Sequence, residues 1–437
     1  MSLWTATDRR QLAWRDPQAV AAGLAPAPGA LLLMSDGGPL GRYSWLTAQP
    51  ERIEICDRVR GDLFAALRDP LWSRGVAGLA AYDVGARPAT GDRGGGWPDL
   101  ILGRYPAWLR FDHHTRRLTA IGHGIDETAA RCARAMAETW LDRSERMNTV
   151  RAPAETWLEE VSADAYRQAV AQVVRRIGEG ELFQANIARA WSGRLKAHAD
   201  PIDAFFRLQS GRASAYGAAW RLDNRALVSN SPELFLTFDP ASRRIETRPI
   251  KGTRPRRADA AADAAEAHAL AHSAKDRAEN LMIVDLMRND LARVSEPGSV
   301  TVDRLFAVER LPTVHHLVST VSARARAEVQ AADLLQAAFP PGSITGAPKH
   351  QAMKVIADLE PPRGPWCGSL FHLDDEGRLA ASVLIRTAGF ERGADGWTYR
   401  TLAGAGITAD SDPHAEADET EAKIRALREA LIGSYSL

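Results

Sequence analysis

The chain has 437 residues, 45% of them hydrophobic, which is enough to bury a large core in two or three domain-sized units or in one intertwined unit. Lysine and arginine together number 55, as do aspartate and glutamate, so the formal net charge is zero. A neutral chain has no overall field that favours nucleic acid or a membrane surface, so an anionic substrate would have to be bound by a local site.

The three cysteines, Cys56, Cys132 and Cys367, are far apart and form no CxxC pair. This spacing argues against a disulfide framework or a zinc cluster and fits a reducing cytoplasm. The amino terminus has no signal-peptide pattern. Residues 17–35 carry no charge but contain several prolines and glycines, so we interpret them as a loop followed by a strand. We therefore expect a soluble, cytoplasmic protein.

Residues 1 to about 145 contain short apolar runs, such as 30–35 and 100–111, and segment 126–147 has the pattern of a helix. The polar stretch that follows predicts a boundary near residue 150, between subdomains 1–150 and 151–437.

Beyond the boundary, Ser162 is the predicted N-cap of a helix that ends at Gly178 or Gly180. Further helices are predicted over 258–293, 331–340, 349–360 and about 413–431, and strands over 183–193, 216–222, 225–238, 243–250, 299–311, 313–325, 378–391 and 396–407. This order is mixed α and β without a regular βαβ alternation.

Two pairs of acidic residues lie near the starts of predicted helices. Glu416 and Glu419 are three apart in the last helix, and Asp276 and Glu279 are three apart in segment 258–293. Each pair alone is more often an acidic first turn that complements the helix dipole, or a solvated face with Lys275 paired to Glu279. If the two helices approached each other, the four carboxylates could hold Mg2+, a hard cation that prefers oxygen ligands.

For three other segments we weigh a purely structural interpretation against a functional one. Residues 404–409, GAGITA, match a dinucleotide-binding string, but the helix after them starts too late, so we expect a small turn whose N–H groups face an anion. Residues 248–256, RPIKGTRPR, predict a solvated basic turn or, alternatively, a nucleophilic Lys251 held near a metal and arginines. Of the pair His315 and His316, we expect one imidazole to be buried and one exposed.

The order of these segments resembles the chorismate-utilising enzymes, which include anthranilate, aminodeoxychorismate, isochorismate and salicylate synthases. The matching strings are SPELF, RPIKGTRPR, AKDRAENLMIVDLMRNDL, TVHHLVS, GSITGAPK, SVLIRTA and LAGAGITADSDPHAEADETEAK. The resemblance is strong over about 160–430 and weaker over 1–145, where ALLLMS followed by GRYSW is similar to the amino-terminal part of the aromatic-amine-forming members. It implies an α+β fold, a large antiparallel β-sandwich with helices packed outside.

Two positions resemble the members that use ammonia and aminate chorismate at C4. Lys251 stands where anthranilate synthases typically carry alanine, and Gln184 stands where the water-using members carry lysine. The resemblance thus implies formation of 4-amino-4-deoxychorismate, a step towards para-aminobenzoate and folate.

The resemblance also implies roles for individual residues. Lys251 would attack C2 of chorismate while Glu233 protonates the departing C4 hydroxyl. Substrate-binding roles fall to Gln184, His316, Ser343, Arg386, Lys423 and the backbone of Gly404, Ala405 and Gly406. Mg2+ would be held by Asp276, Glu279, Glu416 and Glu419, with the second and fourth as direct ligands.

A partner is implied as well, because no cysteine lies in a glutaminase-like context and ammonia would have to come from a separate glutamine amidotransferase subunit. The alternatives are anthranilate synthase component I, a non-catalytic subunit that senses an aromatic amino acid through residues 1–145, and, more remotely, a nicotinamide-dependent oxidoreductase based on residues 404–409.

Overall fold

Two large antiparallel β-sheets organise the chain in the computed structural model, which describes residues 2–143, 150–311 and 314–433. The strands of the described residues, numbered along the chain, are β1 (Ala6–Leu12), β2 (Leu31–Met34), β3 (Tyr43–Thr47), β4 (Arg52–Cys56), β5 (Val76–Ala80), β6 (Leu100–Arg104), β7 (Ala107–Asp112), β8 (Arg117–Gly124), β9 (Leu158–Glu159), β10 (Gln184–Arg194), β11 (Tyr216–Leu222), β12 (Arg225–Ser231), β13 (Leu234–Asp239), β14 (Arg244–Thr247), β15 (Ile250–Pro255), β16 (Thr301–Arg310), β17 (Val314–Arg324), β18 (Gly346–Ala347), β19 (Ser369–Leu373), β20 (Leu379–Val383), β21 (Thr387–Gly393) and β22 (Gly396–Ile407).

The first sheet has the order β1-β8-β7-β3-β2-β11-β12-β21-β22-β10-β18, with β9 also paired to β10. The second has the order β15-β17-β14-β13-β20-β19-β5-β6-β4, with β16 also paired to β17. The helices are α1 (Pro17–Leu24), α2 (Tyr82–Thr90), α3 (Glu127–Thr139), α4 (Ala163–Gly178), α5 (Pro201–Arg212), α6 (Ala260–His272), α7 (Ala274–Ala292), α8 (Ala331–Ala338), α9 (Lys349–Leu359) and α10 (Pro413–Ile432), and short 3-10 helices cover Ala65–Arg68, Pro70–Trp72, Trp140–Arg143 and Gly342–Ile344. The predicted α+β class with two large antiparallel sheets is confirmed.

Several helix boundaries follow from side-chain caps, as the sequence predicts. Ser162 accepts a hydrogen bond from the backbone N–H of Ala165 and begins α4, which ends at Gly178. The Asp412 side chain accepts hydrogen bonds from two backbone N–H groups and begins α10, with Pro413 in its first turn. A side-chain cap supplies an acceptor for amides that have no partner inside the helix, so it fixes where the helix starts.

Two local predictions are corrected. The loop predicted at the start of 17–35 is the helix α1, because Asp16 caps it and its apolar residues, Val20 and Leu24 among them, are buried. The single helical segment predicted over 258–293 is two helices, since the Ser273 side chain caps the start of α7 directly after α6 ends. For the helix predicted over 126–147, the structure gives α3 and a 3-10 turn, and its last part lies outside the described residues.

The two sheets face each other across an apolar layer that contains three tryptophans, Trp45, Trp108 and Trp220. The Trp220 indole donates a 2.8 Å hydrogen bond to the Tyr105 hydroxyl, which in turn donates a 2.8 Å hydrogen bond to the carbonyl of Gly29. Buried aromatic residues supply much apolar area, and a partner for each polar tip keeps their burial favourable.

Strands from both sides of residue 150 pair within each sheet, since β2 pairs with β11 and β5 pairs with β19. The two predicted subdomains thus share both sheets, and the boundary itself stays a prediction. Across the described ranges there is no helix with the length and apolar character needed to span a bilayer.

Candidate active site

The strand β15 carries Lys251 to the centre of the candidate site. The segment predicted as a basic turn is therefore a strand, which pairs with β17 through a register shift near Gly252. Gly252 has a φ of +84°, and a Cβ atom there would lie 2.8 Å from the carboxyl carbon of Asp276. Only glycine accepts both this backbone conformation and this close approach of α7.

The helices α7 and α10 meet, as the four-carboxylate hypothesis requires. The Lys275 ammonium of α7 lies 3.4 Å from Glu416 Oε1 of α10 and 3.9 Å from Glu279 Oε1. Burial raises the pKa of Glu279, the carboxyls of Asp276 and Glu416 raise it further, and Lys251 and Lys275 oppose the rise. The acidic groups of the two helices therefore share one electrostatic environment.

The Lys423 side chain ties α10 to β22. Its ammonium lies 2.6 Å from Glu419 Oε1 and donates a 2.9 Å hydrogen bond to the carbonyl of Gly404. Partial burial would raise the pKa of Glu419, but Lys423 lowers it below its ordinary value, with help from Lys275 and Lys251. Lys423 thus already has two partners at the edge of the site.

The four acids have the donor chemistry of a hard divalent cation, because carboxylate oxygens are the ligands that Mg2+ prefers. In the described part of the chain, however, no three His, Cys, Asp or Glu side chains stand close enough together to hold a metal. The Lys275 ammonium lies between Glu279 and Glu416, where it supplies the positive charge. By donor chemistry the four acids suit such a cation, while in the structure the Lys275 ammonium occupies the place between two of them.

The strand predicted over 396–407 is confirmed as β22, antiparallel to β10, so the first part of the turn predicted over 404–409 belongs to this strand. Gly404 pairs with Ala188 and Gly406 with Asn186, and the N–H groups of these two partners are bonded on the side of β10 away from β22. In an antiparallel pair, the N–H groups of two opposed residues either both point towards the partner strand or both point away from it. Gly404 and Gly406 therefore direct their N–H groups away from β10. By the same alternation, Ala405 directs its amide back to β10 and not to a ligand.

The two glycines of β22 let polar side chains pack closely against one face of the strand. A Cβ atom at Gly406 would lie 2.6 Å from Gln184 Nε2 and 3.0 Å from Lys251 Nζ. A Cβ atom at Gly404 would lie 2.9 Å from Asn186 Oδ1. The structure thus gathers Lys251, Gln184 and Asn186 around one side of this short stretch of strand.

Glu233 lies between β12 and β13, where only 5% of the residue is exposed. Burial raises the pKa of its carboxyl group, and a hydrogen bond from the Ser343 hydroxyl and the charge of Lys251 offset part of the rise. A raised pKa keeps a carboxyl group protonated to higher pH, which is the state that a proton donor needs.

Arg386 and His316 complete the set of predicted residues. Arg386 lies between β20 and β21 with a φ of +52°, and its guanidinium has no hydrogen bond or ion pair within the described ranges. Burial, with the charge of Arg386, lowers the pKa of His316 to about 4, so this imidazole is neutral near pH 7. His316 Nδ1 lies 2.8 Å from the Thr253 hydroxyl, while its Nε2 has no hydrogen-bond partner among the residues that the structure describes.

One expectation about the histidines is wrong. Both His315 and His316 are buried, at 0% and 3% exposure. His315 Nε2 lies 2.9 Å from a carboxylate oxygen of Asp263 on α6, because that helix covers the other face of β17.

A separate cavity of about 390 Å3 lies between the sheets, lined by residues of β2, β3, β11, β13, β19 and β20. None of the residues predicted for the reaction lines it. Three residues of the site, Asn186, Gly252 and Lys275, are not among the predicted site residues. For Asn186 the sequence holds one signal. It lies two residues after Gln184 in the predicted strand, and residues two apart in a strand share a face.

Comparison of this chain with known proteins identifies its family. The sequence model of the family described as chorismate binding enzyme matches residues 42–429. The chain belongs to this family. It is 42% identical to aminodeoxychorismate synthase component 1 of Klebsiella aerogenes, over 81% of this chain and 76% of that protein.

Two further relatives are more distant. Anthranilate synthase component 1 of Streptomyces coelicolor is 34% identical over 90% of this chain and 81% of that protein. The crystal structure of anthranilate synthase component I from Streptococcus pneumoniae superposes with a TM-score of 0.75 at 24% identity, and covers 90% of this chain and 94% of that one. The structural likeness shows the shared fold.

The open face of β22 gives a first testable prediction. Gly406→Ala should weaken chorismate binding by about tenfold or more, because overpacking a tight site typically costs about 1–3 kcal/mol and the added methyl group would meet Gln184 and Lys251. Calorimetric titration with chorismate measures the effect. Gly393→Ala, on the same sheet but with nothing within 4 Å of the added Cβ atom, is the control. Equal affinities of the two variants would mean that this face does not bind the substrate.

Proposed function

We propose that this chain converts chorismate and ammonia into 4-amino-4-deoxychorismate and water. One observation carries the proposal: the Lys251 amine lies on the open face of Gly406 and interacts with the buried carboxyl of Glu233, whose pKa is raised. The candidate nucleophile is thus near enough to the candidate proton donor for its charge to act on the pKa of that carboxyl.

In the proposed reaction the neutral Lys251 amine attacks C2 of chorismate, the ring double bonds shift, and the C4–O bond breaks. Glu233 donates its proton to the departing hydroxyl, which leaves as water. Ammonia then attacks C4, the double bonds shift back, and the Lys251 amine leaves C2. The Glu233 carboxylate takes the extra proton from the new amino group. One difficult substitution is thereby divided into two easier steps.

The remaining groups would bind the anionic substrate. The unpaired guanidinium of Arg386 suits the enolpyruvyl carboxylate, because arginine can bind a carboxylate through two parallel hydrogen bonds. The amides of Gly404 and Gly406, with Lys423 beside them, suit a second carboxylate. His316 and Ser343 would line the ring, and the low pKa of His316 keeps its imidazole neutral there.

Mg2+ is the cofactor that these residues suit. Asp276, Glu279, Glu416 and Glu419 would hold it, with Glu279 and Glu419 as direct ligands and the other two partly through water. When bound, the cation supplies positive charge to the ring carboxylate while negative charge builds up in the reaction.

We further propose that ammonia reaches this chain from a separate glutamine amidotransferase subunit in the cytoplasm. The relatives named component 1 support a second component. Anthranilate synthase component I is the alternative within the family, and Lys251 argues against it. A non-catalytic sensing subunit is disfavoured because Glu233, Lys251 and the four acids are all present.

The nitrogen source and the product test the proposal directly. The purified chain with chorismate, Mg2+ and ammonium should form 4-amino-4-deoxychorismate, and glutamine should not replace ammonium. Chromatography with authentic standards identifies the product. Anthranilate as the product would favour the alternative enzyme, and rapid turnover with glutamine alone would contradict the need for a partner.

The role of Lys251 has its own test. With chorismate and Mg2+ but no ammonia, intact-protein mass spectrometry should show an adduct of chorismate less one water, on the peptide that contains Lys251. Lys251→Ala should carry no adduct and should lose most of its aminating activity, whereas Lys349→Ala, which removes a lysine bonded to Asp290 on the far part of α7, should still form it. Normal turnover by Lys251→Ala without any adduct would leave this lysine only an electrostatic role.

The metal proposal predicts that Glu279→Ala and Glu419→Ala bind Mg2+ at least tenfold more weakly, lose activity and still fold. Calorimetry with Mg2+ measures the affinity, and circular dichroism checks the fold. Asp418→Ala removes an exposed acid of the same helix and should bind Mg2+ normally. Full activity of the unaltered chain in excess chelator would exclude a required metal.

A further inference from the structure

The edge of β10 that faces away from β22 has no strand beside its middle part. Among the described residues, β18 pairs with the first two residues of β10 and β9 with two near its end. Between them, the N–H of Ala188 donates a 2.7 Å hydrogen bond to Glu360 Oε1, and the carbonyl of Asn186 accepts a 2.6 Å hydrogen bond from Arg363. A carboxylate and a guanidinium thus serve as the acceptor and the donor that a neighbouring strand would supply.

The same guanidinium reaches the turn that carries Ser343. Arg363 Nη1 donates a 3.2 Å hydrogen bond to the carbonyl of Ile344, which follows Ser343 in a short 3-10 helix. The carbonyl of the next residue, Thr345, accepts a 2.9 Å hydrogen bond from the N–H of Asn186. The Arg363 side chain therefore ties the edge of β10 to this turn, beside one direct bond between the two backbones.

The ion pair of Glu360 and Arg363 is buried and firmly held. Glu360 is 7% and Arg363 1% exposed, and hydrogen bonds of 2.8 and 3.0 Å join the guanidinium to the carboxylate. The guanidinium carbon lies 4.6 Å from the centre of the Tyr82 ring and 5.1 Å from that of the Trp366 ring. Well-packed apolar residues often stabilise a fold as well as a buried ion pair does, so stability alone is a weak reason for this pair.

Ser343 is the point at which this network meets the proposed chemistry. Burial raises the pKa of the Glu233 carboxyl, and the hydrogen bond from the Ser343 hydroxyl offsets part of the rise. The bond stabilises the carboxylate that remains after Glu233 has given its proton to the C4 hydroxyl. The position of the Ser343 hydroxyl therefore bears on how readily that proton is transferred.

We propose that Glu360 and Arg363 are positioning residues for the reaction. They take the place of a missing strand beside β10 and hold the turn at Ser343 against that strand, so that the Ser343 hydroxyl meets the Glu233 carboxyl. This inference rests on the proposed function, in which Glu233 is the proton donor.

The test combines Arg363→Met, which removes every donor of the side chain, with Ser343→Ala. Ser343→Ala should lower kcat about tenfold, the effect of losing one hydrogen bond to a charged group. Arg363→Met should lower kcat about three- to tenfold, with the KM for chorismate within about threefold of its normal value. The double variant should be about as slow as the slower single variant, because both changes remove the same hydrogen bond to Glu233.

A merely structural role would not give this coupling, since independent defects multiply their effects on kcat. Calorimetric titration with chorismate should give the same number of sites for every variant, which shows that the lower kcat does not come from unfolded protein. If Arg363→Met does not fold, Arg363→Lys, which keeps the charge, or Glu360→Gln, which keeps the shape, is combined with Ser343→Ala in the same way.

The chain offers a matched control in Arg104 of β6. This arginine is also 1% exposed, donates a 2.9 Å hydrogen bond to Glu51 and lies over an aromatic ring, that of Trp4. Arg104→Met should lower thermal stability and leave kcat and the KM for chorismate unchanged.

The possible outcomes separate the positioning role from the proposed function. A fall in kcat for Arg363→Met that Ser343→Ala does not deepen supports the positioning role. If the unaltered chain is active but either single variant keeps its kcat, or if the two effects multiply, only the positioning role is overturned. If the unaltered chain forms no 4-amino-4-deoxychorismate from chorismate and ammonium, the proposed function fails and the positioning role fails with it.

Discussion

Mutual repulsion among the carboxyl groups of α7 and α10 is the constraint that the rest of the site has to satisfy. Two like charges 4 Å apart repel by about 1 kcal/mol in water and by about 4 kcal/mol in a partly buried setting. Lys275 lies between Glu279 and Glu416, and Lys423 pairs with Glu419, so the helices can approach each other without an uncompensated charge. Two lysine ammonium groups therefore neutralise carboxylates of both helices.

Close backbone approach is the second requirement, and three glycines meet it. Gly252 lets β15 pass against Asp276, and Gly404 with Gly406 keeps one face of β22 clear for the groups that gather there. At each of these positions an added Cβ atom would lie less than 3.0 Å from a neighbouring side chain. The electrostatics of the helices and the shape of the strands therefore act on the same small volume, in which Lys251 is the central group.

The predicted residues often lie where regular structure is interrupted. The strand predicted over 225–238 is broken between β12 and β13, at Glu233, and the strand predicted over 378–391 is broken between β20 and β21, at Arg386. A residue inside a strand directs its side chain straight to one face, whereas a break can turn it towards a neighbouring element. At Arg386 the break includes a positive φ, a backbone conformation that few non-glycine residues adopt.

The sequence by itself determined the class of fold, most of the elements and the family, because hydrophobic periodicity, caps and the order of the motifs are local properties of the chain. It also indicated Lys251, Glu233 and the two acidic pairs as candidates. Only the tertiary structure decided that α7 and α10 face each other and that both histidines of the pair are buried. The strand alternation sets Asn186 on the same face as Gln184, but only the pairing of β10 with β22 brings it beside Gly404. These features depend on which segments pack together across hundreds of residues, and no local pattern carries that information.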